Sequence, residues 1–327
     1  MNQVNDCLAA RSNRDCVMKL DLLHITTHST EIFHRLRWGE IIACPECGSV
    51  HIYKPEAGQQ HICADCDNRF SDTSGTIFHS TKLPLVKWLV AIYMFCSQSR
   101  GISSYNLARL ISVSQPTAWR ILTLLRTSIR HDLDPTSIAI IDEVYIGADW
   151  KKKPAKDKFK HIQPPNPVWN LKGDDLKRYY RSEMLRAASL DKIPVVGISA
   201  YNSRSLTLAP YTSSPTIEAI KSQITEQYAE INHWVSDQSK LYRWMRDTDL
   251  THSICDHGNH LYKSPDGYSS NRLEGAFAHL KRMYRGIYQW FSRKFTPAYL
   301  NEFSWRWSHF DTSIEDRIWG LFGMLTW

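Results

Sequence analysis

The stretch Ile138-Ala-Ile-Ile-Asp142-Glu143-Val-Tyr-Ile146 decides how the rest of the chain is read. Apart from its two acids it is wholly apolar and rich in β-branched residues, which suits a strand buried on both faces. A carboxylate in such a strand costs several kcal/mol unless a cation or hydrogen bonds compensate. A metal site is the economical explanation. Successive strand residues point to opposite faces, so only one of Asp142 and Glu143 readily enters a given site, and alternation alone does not say which.

Toward higher numbers the pattern alternates. Strand-like runs at Ile193–Ala200 and Ser205–Ala209 precede a helical segment at Thr216–Tyr228 and a further strand at His233–Ser236, with long helices from about Asn271 onward. This is the outline of an α/β domain. Asp237 ends the last of those strands, where such domains expose functional side chains. Asn271-Arg-Leu-Glu274 opens a helix whose Leu273, Phe277, Leu280, Tyr284 and Ile287 form one apolar stripe. Asn271, Glu274, Ala278, Lys281 and Arg285 share the other side, an acid that can hold metal with bases beyond it that can hold phosphates. Asp142, Asp237 and Glu274 would thus come from a central strand, a neighbouring strand end and a later helix. Together they can cage two Mg²⁺ or Mn²⁺ ions roughly 3.5 to 4 Å apart, which activate a water or 3′-hydroxyl for phosphodiester attack, in the manner of a ribonuclease-H-like fold.

Toward lower numbers the chain punctuates itself with thiols. Cys44-Pro-Glu-Cys47 and Cys63-Ala-Asp-Cys66 flank a fifteen-residue spacer, the pattern of a four-thiolate structural zinc site, while Cys7, Cys16, Cys96 and Cys255 are scattered. Helical periodicity then runs from Pro84 through Trp88, Ile92 and Phe95 to a stop near Gly101, followed by Ser103–Ile111 and Gln115 to about Ile129. Three helices with a short connection before the last outline a helix-turn-helix. In the third, Gln115, Thr117, Arg120 and Thr123 can face outward toward DNA, while Ala118, Ile121, Leu122 and Leu125 pack.

The bulk numbers agree with a folded, DNA-handling protein. In 327 residues, 43% are hydrophobic and 12% aromatic, enough for a core. No run approaches the roughly 18 apolar residues of a membrane span, and the N-terminal region lacks a signal-peptide hydrophobic core, so a cytoplasmic, nucleoid-associated location is expected. The net charge is +7, and Lys151–Lys160 alone carries six lysines against one aspartate, a composition suited to phosphate contact.

These residues together resemble bacterial insertion-sequence transposases of the ISXO-like type, which join an N-terminal zinc ribbon to a DDE domain. The marks are the two Cys pairs, Gly75-Thr-Ile-Phe-His79 with Lys82-Leu-Pro-Leu85, Asp142-Glu-Val-Tyr-Ile-Gly147, Val195-Val-Gly197, Asp237, and Asn271-Arg-Leu-Glu-Gly275 leading to Leu280-Lys-Arg282. The resemblance implies Asp142 as first acid, Asp237 as second, the Asn271 to Glu274 motif as third with Glu274 preferred, and Lys281 as the helix base. It implies cutting at the element's ends and joining of 3′-hydroxyls to target DNA, by a homodimer or higher oligomer. The alternative is a domesticated DNA-binding regulator that no longer cuts. The fold class expected is multidomain: a helical segment at 1–40, a zinc ribbon at 41–76, a helix-turn-helix at 77–133, and an α/β ribonuclease-H-like domain with a mixed sheet flanked by helices at 134–327. A basic insertion at about 151–191 departs from the shorter, glycine-rich linker of the family.

Overall fold

A computed structural model describes residues 21–54, 56–147, 164–190, 192–256 and 263–326. The lysine-rich segment Lys151–Lys160 and both Cys7 and Cys16 lie outside the described residues. Of those described, the ones within Met1–Gln98, Ser104–Leu125 and Thr312–Trp327 form one compact unit, and those within Ser99–Ser103 and Arg126–Asp311 form another.

In the first unit, helices α1 (Leu22–Thr27) and α2 (Ser29–Trp38) precede a small antiparallel sheet of β1 (Ile52–Tyr53), β2 (His61–Cys63) and β3 (Arg69–Phe70). The Asp21 side chain caps α1, accepting from the His24 N–H at 2.8 Å. Helices α3 (Leu85–Ser97), α4 (Ser104–Leu110) and α5 (Gln115–Ser128) follow, the last three residues of α5, Arg126–Ser128, being counted with the second unit. The α3 boundary falls at Pro84, whose fixed φ and missing N–H favour a helix start. A buried aromatic cluster binds the unit: Phe33 meets Phe78 and Phe322 edge-on at 5.0 and 5.2 Å, and Phe78 meets Trp88 at 5.1 Å. Phe322 lies on the helix Ile314–Met324, which the sequence pattern placed at the end of the α/β domain. Its buried Ile318, Leu321 and Phe322, with a backbone bond from Ile77 N–H to Leu325 O at 3.1 Å, put it in this unit instead. A generic amphipathic helix does not announce which core will take it.

The second unit is built on a five-stranded mixed sheet. Its strands β4 (Ile138–Ile146), β5 (Ile193–Ala200), β6 (Leu206–Pro210), β7 (His233–Asp237) and β8 (Thr251–Cys255) stand in the order β6-β5-β4-β7-β8. The β4, β5 and β6 strands run antiparallel in sequence, whereas β7 and β8 run parallel to β4. Helix α6 (Gly173–Leu190) occupies much of the stretch read as an insertion. Helix α7 (Ile217–Gln227) follows β6, and α8 (Asn271–Met283) and α9 (Thr296–Ser308) come after β8.

As the apolar run demanded, β4 is central and buried on both faces. Ile140, Val144 and Ile146 join Val235 and the α8 residues Leu273, Ala276, Phe277 and Leu280 on one side; Ala139 and Ile141 join Trp234, Ile220, Tyr242 and Met245 on the other. Burying these side chains in both layers, at roughly 1.5–3 kcal/mol for each of the larger ones before entropic costs, is what holds a strand carrying two acids in place.

Candidate functional site

Residue parity places the acids. Ile138, Ala139 and Ile140 pair in register with His233, Trp234 and Val235. Ile140 and Val235 face the α8 side, so Asp142 and Asp237, each two residues further on, also face it. Glu143 turns to the opposite side, which resolves the ambiguity left by alternation. The β4–β7 ladder ends at Ile140 and Val235, while β7 stays paired with β8 as far as Asp237 and Cys255. The two strands therefore part just where their carboxylates stand, at the carboxyl end of β7.

Helix α8 covers the same face. Leu273, Ala276, Phe277 and Leu280 are buried, and Asn271, Glu274, Lys281 and Arg285 are exposed, as the helical spacing requires. Ser270 donates to Glu274 Oε1 at 2.9 Å and so steadies the carboxylate at the helix start. The approach of α8 depends on Gly197, which is the β5 partner of Asp142. A Cβ there would stand 2.8 Å from the Phe277 ring, so the missing side chain lets the ring lie on the strand. The sequence quoted Gly197 but gave no sign of what it met.

The electrostatics tie these groups together. Burial first, then the Asp237 and Glu143 carboxylates, push the Asp142 carboxyl up to about 8, and Glu274 adds to the shift. The Glu143 N–H, donating to Asp142 Oδ1 at 2.8 Å, opposes it. Such an environment is short of positive charge, and hard oxygen ligands in it suit a divalent cation. The three carboxylates are set wider than a single-ion cluster: among the described residues, the groups whose ligand atoms all lie within 4.8 Å of one another are elsewhere. Ligands serving two ions roughly 3.5 to 4 Å apart must span more than that.

Glu143 has a different part. It accepts from the Tyr242 hydroxyl and from Ser239 Oγ, and the Ser239 N–H in turn donates to Asp237 Oδ1 at 2.8 Å. Burial raises the Glu143 carboxyl, and burial with Glu143 beside it raises the Tyr242 hydroxyl far above its usual value. Glu143 thus straps the turn after Asp237 to the strand that bears Asp142. Nothing in the polar stretch after Asp237 marked Ser239 and Tyr242 beforehand.

A second centre lies in the first unit. The Sγ atoms of Cys44, Cys47, Cys63 and Cys66 all fall within 4.8 Å of one another, with Cys44 to Cys66 at 3.6 Å and Cys47 to Cys63 at 3.5 Å. Thiolates held roughly 2.3 Å from a tetrahedral ion stand about 3.8 Å apart, so the set fits zinc. Each pair sits on a matching turn: Gly48 N–H bonds Cys44 O, Asp67 N–H bonds Cys63 O, and Gly48 and Asp67 both take positive φ. Burial raises the Cys44 thiol, but the N–H groups of Cys47 and Glu46, aided by Cys66 and Asn68, bring it down to about 6.

Next to the thiols, Asp72 Oδ1 accepts from His61 Nε2 and Trp38 Nε1 at 2.8 Å and meets His34 Nδ1 at 2.9 Å, while Gly58 N–H reaches Oδ2. These are hydrogen-bond distances, shorter than the roughly 3.3 Å between ligands of one tetrahedral ion. The cluster is a clasp that fastens α2 to the ribbon.

On α5, Arg120 is exposed. Gln115 donates to Ser104 Oγ at 2.8 Å, the Thr117 hydroxyl shares a 2.8 Å bond with Ser114, and Thr123 donates to Trp119 O. Three of the four side chains expected to face outward thus have partners within the protein.

With this geometry in hand, comparison adds its finding: residues 170–308 match the ISXO2-like transposase domain. The match includes Asp237, Asn271, Glu274 and Lys281, begins after Asp142, and takes in α6. A relative from Halobacterium salinarum, described as an uncharacterized protein in transposable element ISH50, is 28% identical over 135 residues, or 38% of this chain. The chain spans 42% of that relative's length. No described helix is long and apolar enough to cross a membrane.

Proposed function

We propose that the protein is a DNA transposase whose second unit is a ribonuclease-H-like DDE domain, with Asp142, Asp237 and Glu274 holding two Mg²⁺ or Mn²⁺ ions. One observation carries this reading: Asp142 and Asp237 share a face of adjacent, parting strands, under the helix that bears Glu274, and all three are electrostatically coupled. The strand order β6-β5-β4-β7-β8 supports the same fold, and the family match and the relative in a transposable element support the same chemistry.

When bound, the ions supply activation of a water or 3′-hydroxyl and stabilisation of the leaving oxygen. The protein's own contribution is to orient and to neutralise. Asp142 and Asp237 offer oxygens from a rigid sheet, Glu143 fixes the turn behind Asp237, and Asn271 stands in the first turn of α8 as a further polar group beside Glu274. Lys281 and Arg285, two and three turns along the exposed face of α8, hold phosphates of the DNA leading into the site. The four thiols hold a structural zinc, and with every position filled by protein it does no chemistry. Helices α3 to α5 serve as a helix-turn-helix, with Arg120 as the side chain of α5 best placed for DNA. The substrates are the element's ends and a target DNA, and joining two ends calls for a dimer or larger assembly.

The test is a strand-transfer assay with Mg²⁺ on DNA carrying the sequences that flank the gene. Wild-type protein should cleave and join 3′ ends. Asp142→Asn should lose about a thousandfold or more, since metal-borne charge stabilisation is worth several kcal/mol. Binding without cleavage would make the protein a regulator, and cleavage without joining would make it a plain nuclease.

A further inference from the structure

The chain segment just beyond α8 carries an unusual backbone. After Met283 the helix widens into a π turn, Tyr284–Tyr288, and Gln289 follows at φ +57° and ψ −35°, a conformation that residues with a side chain rarely adopt. The segment is nevertheless rigid. Tyr288 donates to the buried Glu302 at 2.8 Å, and Phe291 stacks on Tyr299 at 4.5 Å with rings 9° from parallel. Arg293 anchors the far side through the carbonyls of Thr212 and Lys192. Held between these fixed points, Trp290 is thrown outward and left 68% exposed, and among the described residues no other ring meets it. Strained backbone kept in place by its surroundings marks functional positions more often than accidents.

The neighbourhood says what would lie on that ring. Residues 281–295 contain five cations and no acid. Arg293 is committed to carbonyls, but Lys281, Arg282, Arg285 and Lys294 are exposed, and no described carboxylate pairs with them. Arg282, Arg100 and Arg204 also add to burial in holding the His279 imidazole below its usual value, a sign of a positive field along this face. An exposed indole on an anchored backbone in an all-cationic surround is the combination that binds nucleic acid strands, the cations on phosphates and the ring on a base. Inside a duplex a paired base offers its faces only to its neighbours in the stack, so away from a duplex end the base on the ring is an unpaired one.

We infer that Trp290 is a stacking platform for an unpaired DNA base, with Lys281, Arg282, Arg285 and Lys294 gripping the strand on either side. The inference rests on the reading of the protein as a DNA-processing enzyme and adds a substrate feature to it. Trp290 lies just past the end of the helical run that holds Glu274, which from Glu274 to Tyr288 rises roughly 20 Å at about 1.5 Å per residue, so the stacked base would be several nucleotides from the phosphate at the acids.

The experiment compares the affinities of the full chain for a labelled single-stranded oligonucleotide and for the blunt duplex of the same sequence, by fluorescence anisotropy. Trp290→Ala should weaken single-strand binding by about 5- to 150-fold, the equivalent of roughly 1–3 kcal/mol per stacked base, and leave the duplex nearly unaffected. Trp290→Phe should keep most of the single-strand affinity. Equal losses on both probes, or none on either, would overturn the inference. So would unchanged DNA binding with a dimer that dissociates in sedimentation, which would make Trp290 a protein contact. If the wild-type chain binds neither probe, it is the broader reading as a DNA enzyme that fails.

Discussion

Asp142 is the residue at which sequence, sheet geometry and electrostatics meet. Its carboxyl is raised from the usual range to about 8 by burial and by Asp237 and Glu143. A raised acid holds its proton more tightly in the folded state, so its contribution to stability is complete below about pH 4 and is lost as pH climbs through about 8. His252 has the opposite sign. Burial, then Arg246 and His233, lower it to about 4, so its contribution falls away as pH drops below about 6.5. From about pH 6.5 to 8 the His252 contribution is complete, but the Cys44 thiol, brought down to about 6, titrates there with the opposite sign to Asp142, so it is the comparison with the Asn variant that isolates Asp142. We expect the melting temperature of protein in chelator to fall across that interval. Mg²⁺ should restore it most at the upper end, and Asp142→Asn should flatten both responses. Differential scanning fluorimetry reads all three; a wild-type slope that survives in the Asn variant would remove Asp142 from the centre. The sequence supplied the acids but could not orient them, because Asp142 and Glu143 differ only in parity and parity has meaning only once a partner strand is known.

Among the elements, what could be read in advance was whatever a hydrophobic pattern encodes. The buried run at 138–146, the helix stripe from Leu273 to Leu280 and the two Cys pairs emerge where expected. Strand β8 did not show itself, since Thr251-His-Ser-Ile-Cys has little apolar character. Two of its polar side chains pair across the strands instead, His252 Nε2 with Ser236 and Ser253 with His233, each at 2.8 Å. Close approach is equally invisible in sequence. Gly197→Ala would drive a methyl to 2.8 Å from the Phe277 ring. Overpacking of this kind costs about 1–3 kcal/mol, and the displaced helix carries Glu274. We expect a lower melting temperature together with weaker Mg²⁺ dependence of cleavage, and Phe277→Leu in the same chain should recover part of both. No recovery would mean that the contact is not what positions α8. The ribbon offers a separate check, because among the described residues its three short strands have a small core, Cys44, Cys63 and Phe70 with Trp38, Ile42 and Ile52 packed against it. Protein purified without added metal should carry one zinc per chain by elemental analysis, and Cys63→Ser should lose the zinc and the fold of this segment, since zinc supplies about 10–16 kcal/mol in comparable sites. A zinc-free but folded wild type would refute it.

At the scale of the whole molecule, each unit has its own core, and the second holds a buried charge system that the sequence left unremarked. Glu302 is fully buried with Arg126 at 2.6 Å and Arg306 at 2.7 Å, and the Arg126 guanidinium lies 4.2 Å from the centre of the Tyr299 ring. Such a network is costly to break, typically about 3–5 kcal/mol when one partner is removed, and it braces α9 behind the segment that presents Trp290. The +7 charge provides attraction for DNA without sequence preference, but attraction alone does not distinguish an enzyme from a regulator. The presence of two ions on the three acids does. Electron paramagnetic resonance of the full chain titrated with Mn²⁺ on DNA, its ribbon already loaded with zinc, should show a spin-coupled manganese pair in wild type that Asp142→Asn, Asp237→Asn and Glu274→Gln each abolish. A spectrum of isolated ions, unchanged by those substitutions, would contradict it.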